Sequence, residues 1–199
     1  MRNVIIFGSG GLAKEVIGYI EEYGDYKISC VVSTEPFNNP KYARYPVMDH
    51  APDINADYIL AVADPAVKRQ IVDRNLDKWI TYIHPSAHIS NFATIGRGCL
   101  FAPQSCVCGD PVIEDFVFFN TNATVGHDSI IRRYVTLFPN TEVCGNCDIG
   151  EGVIFGIGAY AIPKVKIVSG AKVSAGAVVR KSVLEPVTVY GDPAKPRNL

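Results

Sequence analysis

The sequence has neither an excess of charge of one sign nor a long hydrophobic run. Nineteen lysines and arginines balance twenty aspartates and glutamates, which gives a formal net charge of −1. A general nucleic-acid binder or a polybasic membrane-surface protein would carry an excess of cations, so we expect neither kind of partner. Apolar runs such as Val4–Phe7 are far too short to span a bilayer, and no signal-peptide pattern follows Met1. The expected location is the cytoplasm, where the six cysteines would be reduced.

Strand-like and helix-like segments alternate in the N-terminal part of the chain. Residues 4–7 are typical of a buried strand, and residues 12–23 repeat apolar side chains at helical spacing. Further strands are predicted at 28–32, 58–62 and 79–83, and Asp64-Pro65 is a typical start of a second helix. This alternation predicts a small parallel α/β unit over residues 1–84.

A six-residue repeat replaces the alternation after His84-Pro85. Sixteen consecutive positions spaced six residues apart are apolar, from Ile89 to Val179, and the residue two places before each of them is small. Neither a helix nor a simple strand produces both patterns, whereas a hexapeptide repeat does. An antiparallel β-sandwich would need irregular loops that break the register. We therefore expect residues 85–199 to form a solenoid of about five turns, stabilised by stacking of its coils.

A glycine-rich loop lies between the first strand and the first helix. The segment Gly8–Ala13 fits the pattern G-x-G-x-x-A, in which glycines let a phosphate approach the N–H groups of the helix N-terminus. Glu35 is at a suitable distance along the chain to meet a ribose hydroxyl. Two alternatives remain open: the protein is a nicotinamide dehydrogenase, or the glycines only form a turn. The α/β unit is too short for a complete dinucleotide fold, which counts against the dehydrogenase.

The two halves together resemble the family of sialic acid O-acetyltransferases and nucleotide-aminosugar N-acetyltransferases, which are hexapeptide-repeat acyltransferases. The resemblance covers essentially the whole chain and rests on these segments: Gly8–Gly11, Ile83–Ala87, Asn120-Thr121, Gly126-His127-Asp128, Gly176–Val179 and Gly191–Lys195. It implies a Rossmann-like parallel α/β unit followed by a left-handed parallel β-helix. It also implies a homotrimer with active sites between subunits.

The activity implied by the resemblance is acetyl transfer from acetyl-CoA to an amino group of a nucleotide-linked amino sugar, in bacterial surface-glycan biosynthesis. O-acetylation of sialic acid or a related sugar hydroxyl is an alternative, and a solenoid binding module without catalysis is another. The N-terminal unit is implied to bind the nucleotide sugar through Gly8, Ser9, Gly10, Gly11, Ser33, Thr34 and Asp64. The chain departs from the family at Leu12, where the family usually has His, and at Ser33-Thr34, where Asp is usual. The sequence therefore does not specify the nucleotide.

His127 matches the general base of the family. It lies two positions after an apolar slot of the repeat, where we expect the side chain to point outward, as a solvated or interface histidine also would. A largely neutral imidazole can take the proton of an attacking amine or hydroxyl. Asp128 is the implied partner that orients it. Because neighbouring strand residues face opposite ways, Asp128 would act across a subunit boundary or at a bend. Asn120 is implied to bind the acceptor or the histidine.

The resemblance also assigns the acetyl-CoA site. Gly145 lies 18 residues beyond His127 and is implied to offer its backbone N–H to the oxyanion of the tetrahedral intermediate. Ile157, Ala175 and Gly176 match positions that line the acetyl-CoA groove. Four cations either meet the phosphates of CoA or belong to a solvated edge of the coil: Lys164, Lys166, Arg180 and Lys181.

No metal is expected, although two cysteine pairs superficially resemble zinc ligands. The pairs are Cys106-x-Cys108 and Cys144-x-x-Cys147. Cys147, like Cys99, occupies a small-residue position of the repeat, where packing alone explains it. Cys108 and Cys144 are 36 residues apart, which places them two coils apart and too distant to share an ion.

Overall fold

The fold is taken from a computed structural model that describes residues 1–74 and 77–196. Backbone contacts divide the chain into a first unit, residues 1–82, and a second unit, residues 83–199. No helix among the described residues is long and apolar enough to cross a membrane.

The first unit is a four-stranded parallel sheet with two helices. Its elements are β1 (Arg2–Phe7), α1 (Gly11–Tyr23), β2 (Tyr26–Val32), β3 (Val47–Met48), β4 (Asp57–Leu60) and α2 (Pro65–Val72), with a 3₁₀ turn at Pro40–Tyr42. The strand order is β3-β2-β1-β4, and all three pairings are parallel. The predicted parallel α/β unit is therefore confirmed.

Local sequence explains these elements. Val4, Ile5 and Ile6 of β1 are fully buried, and α1 turns its apolar face onto the sheet through Val16 and Ile20. The structure differs from the predicted strand at 79–83. This segment consists of a single bridge at Trp79 and a two-residue strand, β5 (Tyr82–Ile83), at the boundary between the units.

The second unit is a parallel β-helix whose short strands stack into three faces. The first face contains β6 (His88–Ile89), β9 (Cys106–Val107), β12 (Thr124–Val125), β15 (Glu142–Val143), β18 (Tyr160–Ala161) and β21 (Val178–Val179). The second face contains β7 (Thr94–Ile95), β10 (Val112–Ile113), β13 (Ile130–Ile131), β16 (Asp148–Ile149) and β19 (Lys166–Ile167). The third face contains β8 (Leu100–Phe101), β11 (Phe118–Phe119), β14 (Thr136–Leu137), β17 (Ile154–Phe155), β20 (Lys172–Val173), β22 (Thr188–Tyr190) and, antiparallel to β22, β23 (Lys195–Pro196).

The six-residue repeat places its apolar residues inside the coil. Every slot of the repeat from Phe101 to Val179 is at most 1% exposed, and the first two slots, Ile89 and Ile95, are partly buried against the same core. The small residues two positions earlier are buried as well, including Cys99 at 1% and other members further along the coil. The predicted hexapeptide solenoid is thus confirmed, and a Rossmann-like unit followed by a β-helix is the fold of this chain.

Successive coils are joined by backbone hydrogen bonds between residues about 18 positions apart. The Gly126 N–H donates to the Val143 carbonyl at 2.8 Å, and the Cys144 N–H donates to the Ala161 carbonyl at 3.0 Å. Some corners leave no room for a side chain. A Cβ atom at Gly150 would lie 2.2 Å from the Ser169 backbone nitrogen, so the coil requires glycine there.

Truncating an inward residue should destabilise the coil, whereas truncating an exposed one should not. Phe119 is fully buried, with its ring 4.7 Å from that of Phe101. We expect Phe119→Ala to lower the free energy of unfolding by about 3–5 kcal/mol, measured by chemical denaturation. Phe92→Ala is the control, since Phe92 is 82% exposed and its truncation should change stability by about 0.5 kcal/mol or less. Equal effects of the two substitutions would contradict the inward placement of Phe119.

Candidate active site

His127 lies at a corner of the β-helix, immediately after β12 and Gly126. Its side chain is 63% exposed, so the outward orientation predicted from the repeat is confirmed. The His127 carbonyl accepts a hydrogen bond from the Asn146 N–H of the next coil at 2.9 Å. The corner thus fixes the backbone of His127 and leaves its imidazole accessible to a substrate.

Asp128 is the hydrogen-bond partner of His127 within the same chain. The Nδ1–H of His127 donates to the Asp128 carboxylate, with Nδ1 and Oδ2 2.6 Å apart. Adjacent side chains meet here because Asp128 has a φ of +57°, a left-handed conformation that turns the chain. Of the two alternatives left by the sequence, the structure therefore favours the bend. The Asp128 N–H in turn donates to Asp110 Oδ1 of the preceding coil at 3.3 Å.

This pair orients the imidazole rather than stabilising the fold. The side chains are 63% and 54% exposed, and ion pairs exposed to this extent contribute about 1 kcal/mol or less to stability. With the proton on Nδ1 held by the carboxylate, the lone pair of Nε2 is left to accept a proton. The pair is therefore built to present Nε2 as a base.

Two glycines make room for His127, Gly145 for its ring and Gly109 for its Cα and Cβ atoms. A Cβ atom at Gly145 would lie 2.6 Å from His127 Nε2, and a Cβ atom at Gly109 would lie 2.6 Å from His127 Cβ. The ring consequently lies against the bare backbone of Gly145 in the next coil. Within the described part of the chain, no acceptor pairs with the Gly145 N–H. A free donor next to Nε2 matches the arrangement that acyl transfer needs.

The other residues predicted for acetyl transfer lie at a different corner, which follows the third face. Asn120 comes after β11 and Ile157 after β17. The Gly176 N–H donates to the Ile157 carbonyl at 2.8 Å, and a Cβ atom at Gly156 would lie 2.5 Å from the Ala175 nitrogen. The site residues therefore form two groups. We call His127, Asp128 and Gly145 the base corner, and Asn120, Ile157, Ala175 and Gly176 the groove corner.

No hydrogen bond joins Asn120 to His127 within the described part of the chain. Its side-chain oxygen accepts a hydrogen bond from the Thr121 N–H at 2.7 Å. Two of the four candidate cations already have carboxylate partners. Arg180 binds Asp192 through two contacts of 2.7 and 3.1 Å, and Lys166 Nζ lies 3.6 Å from an oxygen of Asp148. The hydrogen bond from Arg180, followed by its charge, lowers the pKa of Asp192.

All seven residues predicted to bind the nucleotide line one cavity of the first unit, with a volume of about 580 Å³. Gly8 has a φ of +118°, and a Cβ atom there would lie 2.7 Å from the Ala61 carbonyl oxygen, so this position requires glycine. Gly10 caps α1 without a side chain, which leaves the first-turn N–H groups of the helix open to an anion.

The polar groups of this cavity are already partly engaged with one another. The hydroxyls of Ser9 and Ser33 are 2.8 Å apart, and the Asp64 carboxylate caps α2 by accepting from the Ala66 and Val67 N–H groups. The sequence argument missed several lining residues, among them Asp49, Gln70 and Arg74. A hydrogen bond with His50, and then its charge, lowers the pKa of Asp49. These residues belong to no short motif. The only signal that could have found them is their position in the chain, beyond β3 and at the end of α2.

The cysteines do not build a metal site of three or more ligands among the described residues. Cys99 and Cys147 are buried at their small-residue positions, as the repeat predicts. Cys106 and Cys108 are different, since their sulfur atoms are 3.3 Å apart at the surface.

A three-faced β-helix that holds an imidazole–carboxylate pair against a glycine backbone defines the class of hexapeptide-repeat acyltransferases. The family model for the PglD N-terminal domain matches residues 3–75. The acetyltransferase domain of PglB from Neisseria gonorrhoeae FA1090, solved in complex with acetyl coenzyme A, is 30% identical with a TM-score of 0.87, and the match covers 98% of this chain and 99% of that one. The chain belongs to the nucleotide-aminosugar acetyltransferase family of hexapeptide-repeat proteins.

Two other relatives cover nearly the whole chain. The GDP-perosamine N-acetyltransferase of Escherichia coli O157:H7 is 27% identical over 207 residues, which is 96% of this chain and 94% of that protein. A histidine-to-alanine mutant of GDP-perosamine N-acetyl transferase from Caulobacter crescentus, solved with CoA and GDP-perosamine, is also 27% identical. Its TM-score is 0.91, and the match covers 100% of this chain and 98% of that one.

A methyl group at Gly145 should displace the imidazole without unfolding the coil. The Cβ atom of Gly145→Ala would meet the ring within 3.0 Å, and a misplacement of about 1 Å can lower a rate by about 10²-fold. We expect a loss of acetyl transfer of that order with an unchanged melting temperature. Gly150→Ala is the matched control, because its Cβ atom would meet only backbone of the neighbouring coil and should lower stability instead. A stable and fully active Gly145→Ala enzyme would refute the close approach of the ring.

Proposed function

We propose that this protein transfers the acetyl group of acetyl-CoA to an amino group of a nucleotide-linked amino sugar. The observation that carries the proposal is the base corner, where the His127 ring is hydrogen-bonded to Asp128 and covers Gly145. Relatives named as N-acetyltransferases of nucleotide-linked sugars support the class of acceptor. The proposed location is the cytoplasm, where acetyl-CoA is available.

In the proposed reaction the acceptor amine attacks the carbonyl carbon of the thioester. Nε2 of His127 takes the proton that the amine nitrogen releases, and Asp128 stabilises the imidazolium that results. The tetrahedral intermediate then collapses, the carbon–sulfur bond breaks, and the CoA thiolate leaves. The imidazolium returns its proton to the thiolate, so His127 and Asp128 end the cycle in their starting states.

The Gly145 N–H is the proposed donor to the oxyanion of the intermediate. It lies on the coil next to His127 and has no acceptor within the described residues. A donor of this kind lowers the barrier only when the carbonyl oxygen becomes negative, which favours the transition state over the bound thioester. The base therefore acts on the attacking amine and the donor on the carbonyl oxygen, from neighbouring coils.

We assign nucleotide binding to residues 1–84 and acyl transfer to residues 85–199. The open N-terminus of α1 would receive the diphosphate, because backbone N–H groups and the helix dipole both favour an anion there. Glu35 and the hydroxyls of Ser9 and Ser33 are among the lining groups that could bind ribose or base.

We further propose that the active form is a homotrimer. The base corner follows the first face of the coil and the groove corner follows the third, so neither corner of one chain lines both sides of a groove. A closed ring of three copies would place the groove corner of one chain beside the base corner of the next. Asn120, Ile157, Ala175 and Gly176 would then act on the thioester held near another chain's His127.

Replacing His127 should slow the reaction strongly and leave the fold intact. Since the imidazole is exposed, we expect His127→Ala to lower the rate by about 10²–10⁴-fold with little change in melting temperature. The measurement is release of the CoA thiol with nucleotide-linked amino sugars, free sialic acid and simple amines as acceptors. His88→Ala, an exposed histidine outside both corners, is the control. Turnover by His127→Ala at the wild-type rate would exclude His127 as the base, and transfer to hydroxyl acceptors alone would identify an O-acetyltransferase.

Filling the space at Gly10 should weaken nucleotide binding. A Cβ atom at Gly10 would meet nothing within 4 Å, and the backbone there suits any residue, so Gly10→Val should fold normally. The valine side chain would occupy the space at the N-terminus of α1. We therefore expect GDP or UDP to bind at least about tenfold more weakly, measured by titration calorimetry. Gly18→Val lies in α1 outside the cavity lining and should bind as the wild type does. Unchanged affinity of Gly10→Val would place the phosphates elsewhere.

A further inference from the structure

Cys106 and Cys108 hold two thiols side by side on the first face of the coil, outside both corner clusters. Their sulfur atoms are 3.3 Å apart. Val107 between them points into the core and is fully buried, so strand alternation turns both thiols outward. Cys108 is exposed and Cys106 is half-buried, which leaves the pair open to small reagents.

Three of the other four cysteines are placed differently, whereas Cys144 is half-buried with its thiol 3.9 Å from Glu142 Oε1. Cys30, Cys99 and Cys147 are buried, and the thiols of Cys99 and Cys147 donate to backbone carbonyls of the next coil, Glu114 and Ile162. The packing that explains these residues does not explain two neighbouring thiols at the surface.

We propose that Cys106 and Cys108 form a redox site that a low-molecular-weight disulfide converts reversibly into an intramolecular disulfide, with loss of acetyl transfer. The geometry favours this step because the sulfurs need to approach by only about 1.2 Å to reach the length of a disulfide bond, about 2.05 Å. A disulfide whose residues must move to form it is strained and therefore readily reduced. Ready reduction is typical of reversible rather than structural disulfides.

The exchange proceeds in two balanced steps. The Cys108 thiolate attacks one sulfur of the small disulfide, and the first small thiol leaves with the proton that Cys108 has lost. The Cys106 thiolate then attacks the Cys108 sulfur, forms the Cys106–Cys108 bond and releases the second small thiol, which takes the remaining proton. Two electrons and two protons thus pass from the protein to the small disulfide. Burial, followed by the neighbouring Cys108 thiol, raises the pKa of Cys106 to about 11, which favours the more exposed Cys108 as the first nucleophile.

Oxidation of the pair would affect the active site because Gly109, the residue after Cys108, lies against His127. Gly109 follows Cys108 directly, and a Cβ atom at Gly109 would lie 2.6 Å from His127 Cβ. Asp110, the residue after Gly109, accepts the hydrogen bond from the Asp128 N–H. Drawing Cys108 towards Cys106 moves this short segment and with it the support of the His127–Asp128 pair.

The test is oxidation of the full-length assembled protein with oxidised glutathione, followed by alkylation of free thiols and peptide mass spectrometry. We expect the peptide that holds Cys106 and Cys108 to lose both alkylation sites and the mass of two hydrogen atoms. Acetyl transfer should fall about tenfold or more and return on reduction with dithiothreitol. Cys106→Ser and Cys108→Ser should each have wild-type activity and resist oxidation, whereas Cys144→Ser, a control on the same face, should remain sensitive.

Several results would overturn the inference. Free alkylation of both thiols after oxidation would show that the pair does not close, and a bond to another chain or another cysteine would show a different pairing. A disulfide without loss of activity would remove the link to His127. The mass measurement needs no acetyl transfer, so failure of the redox site is distinguishable from failure of the proposed enzyme activity.

Discussion

The register between neighbouring coils is the constraint on which the candidate active site depends. Backbone hydrogen bonds join residues about 18 positions apart, so each coil places its corners directly over those of the coil before. This register brings the backbone of Gly145 against the ring of His127 and Asp110 under the Asp128 N–H. A slip by a single residue would turn every slot of the repeat out of the core, and the buried apolar side chains therefore oppose it. The same packing that stabilises the coil thus fixes the distances of the site.

This constraint explains why so much of the site follows from the sequence. Once the six-residue repeat is recognised, the position of a residue along the repeat determines its face, its corner and its neighbours one coil away. His127 and Gly145 are 18 residues apart, so their contact needs no further information. The direction of the Asp128 side chain needed further information, because the alternation of side chains along a strand ends at the corner. The left-handed φ of Asp128 recurs at Asn146 and Lys164, each 18 residues further on, and asparagine in that column was the available signal.

The first unit was predictable to a different extent. The resemblance assigned the glycine loop and the ends of β2 and β4 to nucleotide binding, and they line one cavity because the carboxyl ends of parallel strands meet at the same edge of a sheet. Asp49, Gln70 and Arg74 reach the cavity from segments whose paths depend on tertiary packing, so no spacing rule identifies them. Trp79 shows the same limit. Its ring lies 4.8 Å from that of Phe7 and 5.6 Å from that of Tyr58, and its backbone forms a single bridge rather than the longer strand that its sequence favours.

The base corner and the groove corner have unequal roles in the proposed chemistry. The base, its orienting carboxylate and the oxyanion donor all belong to one corner of one chain, and their contacts depend only on the packing of that chain's own coils. The groove corner carries backbone and amide groups that would position a thioester under this proposal but hold no proton acceptor of comparable strength. Under the trimer proposal, assembly therefore supplies the binding surface for acetyl-CoA and leaves the base unchanged. An unassembled chain would keep a correctly oriented imidazole and still lack turnover, because the carbonyl carbon would not be held within reach of both the amine and the Gly145 N–H.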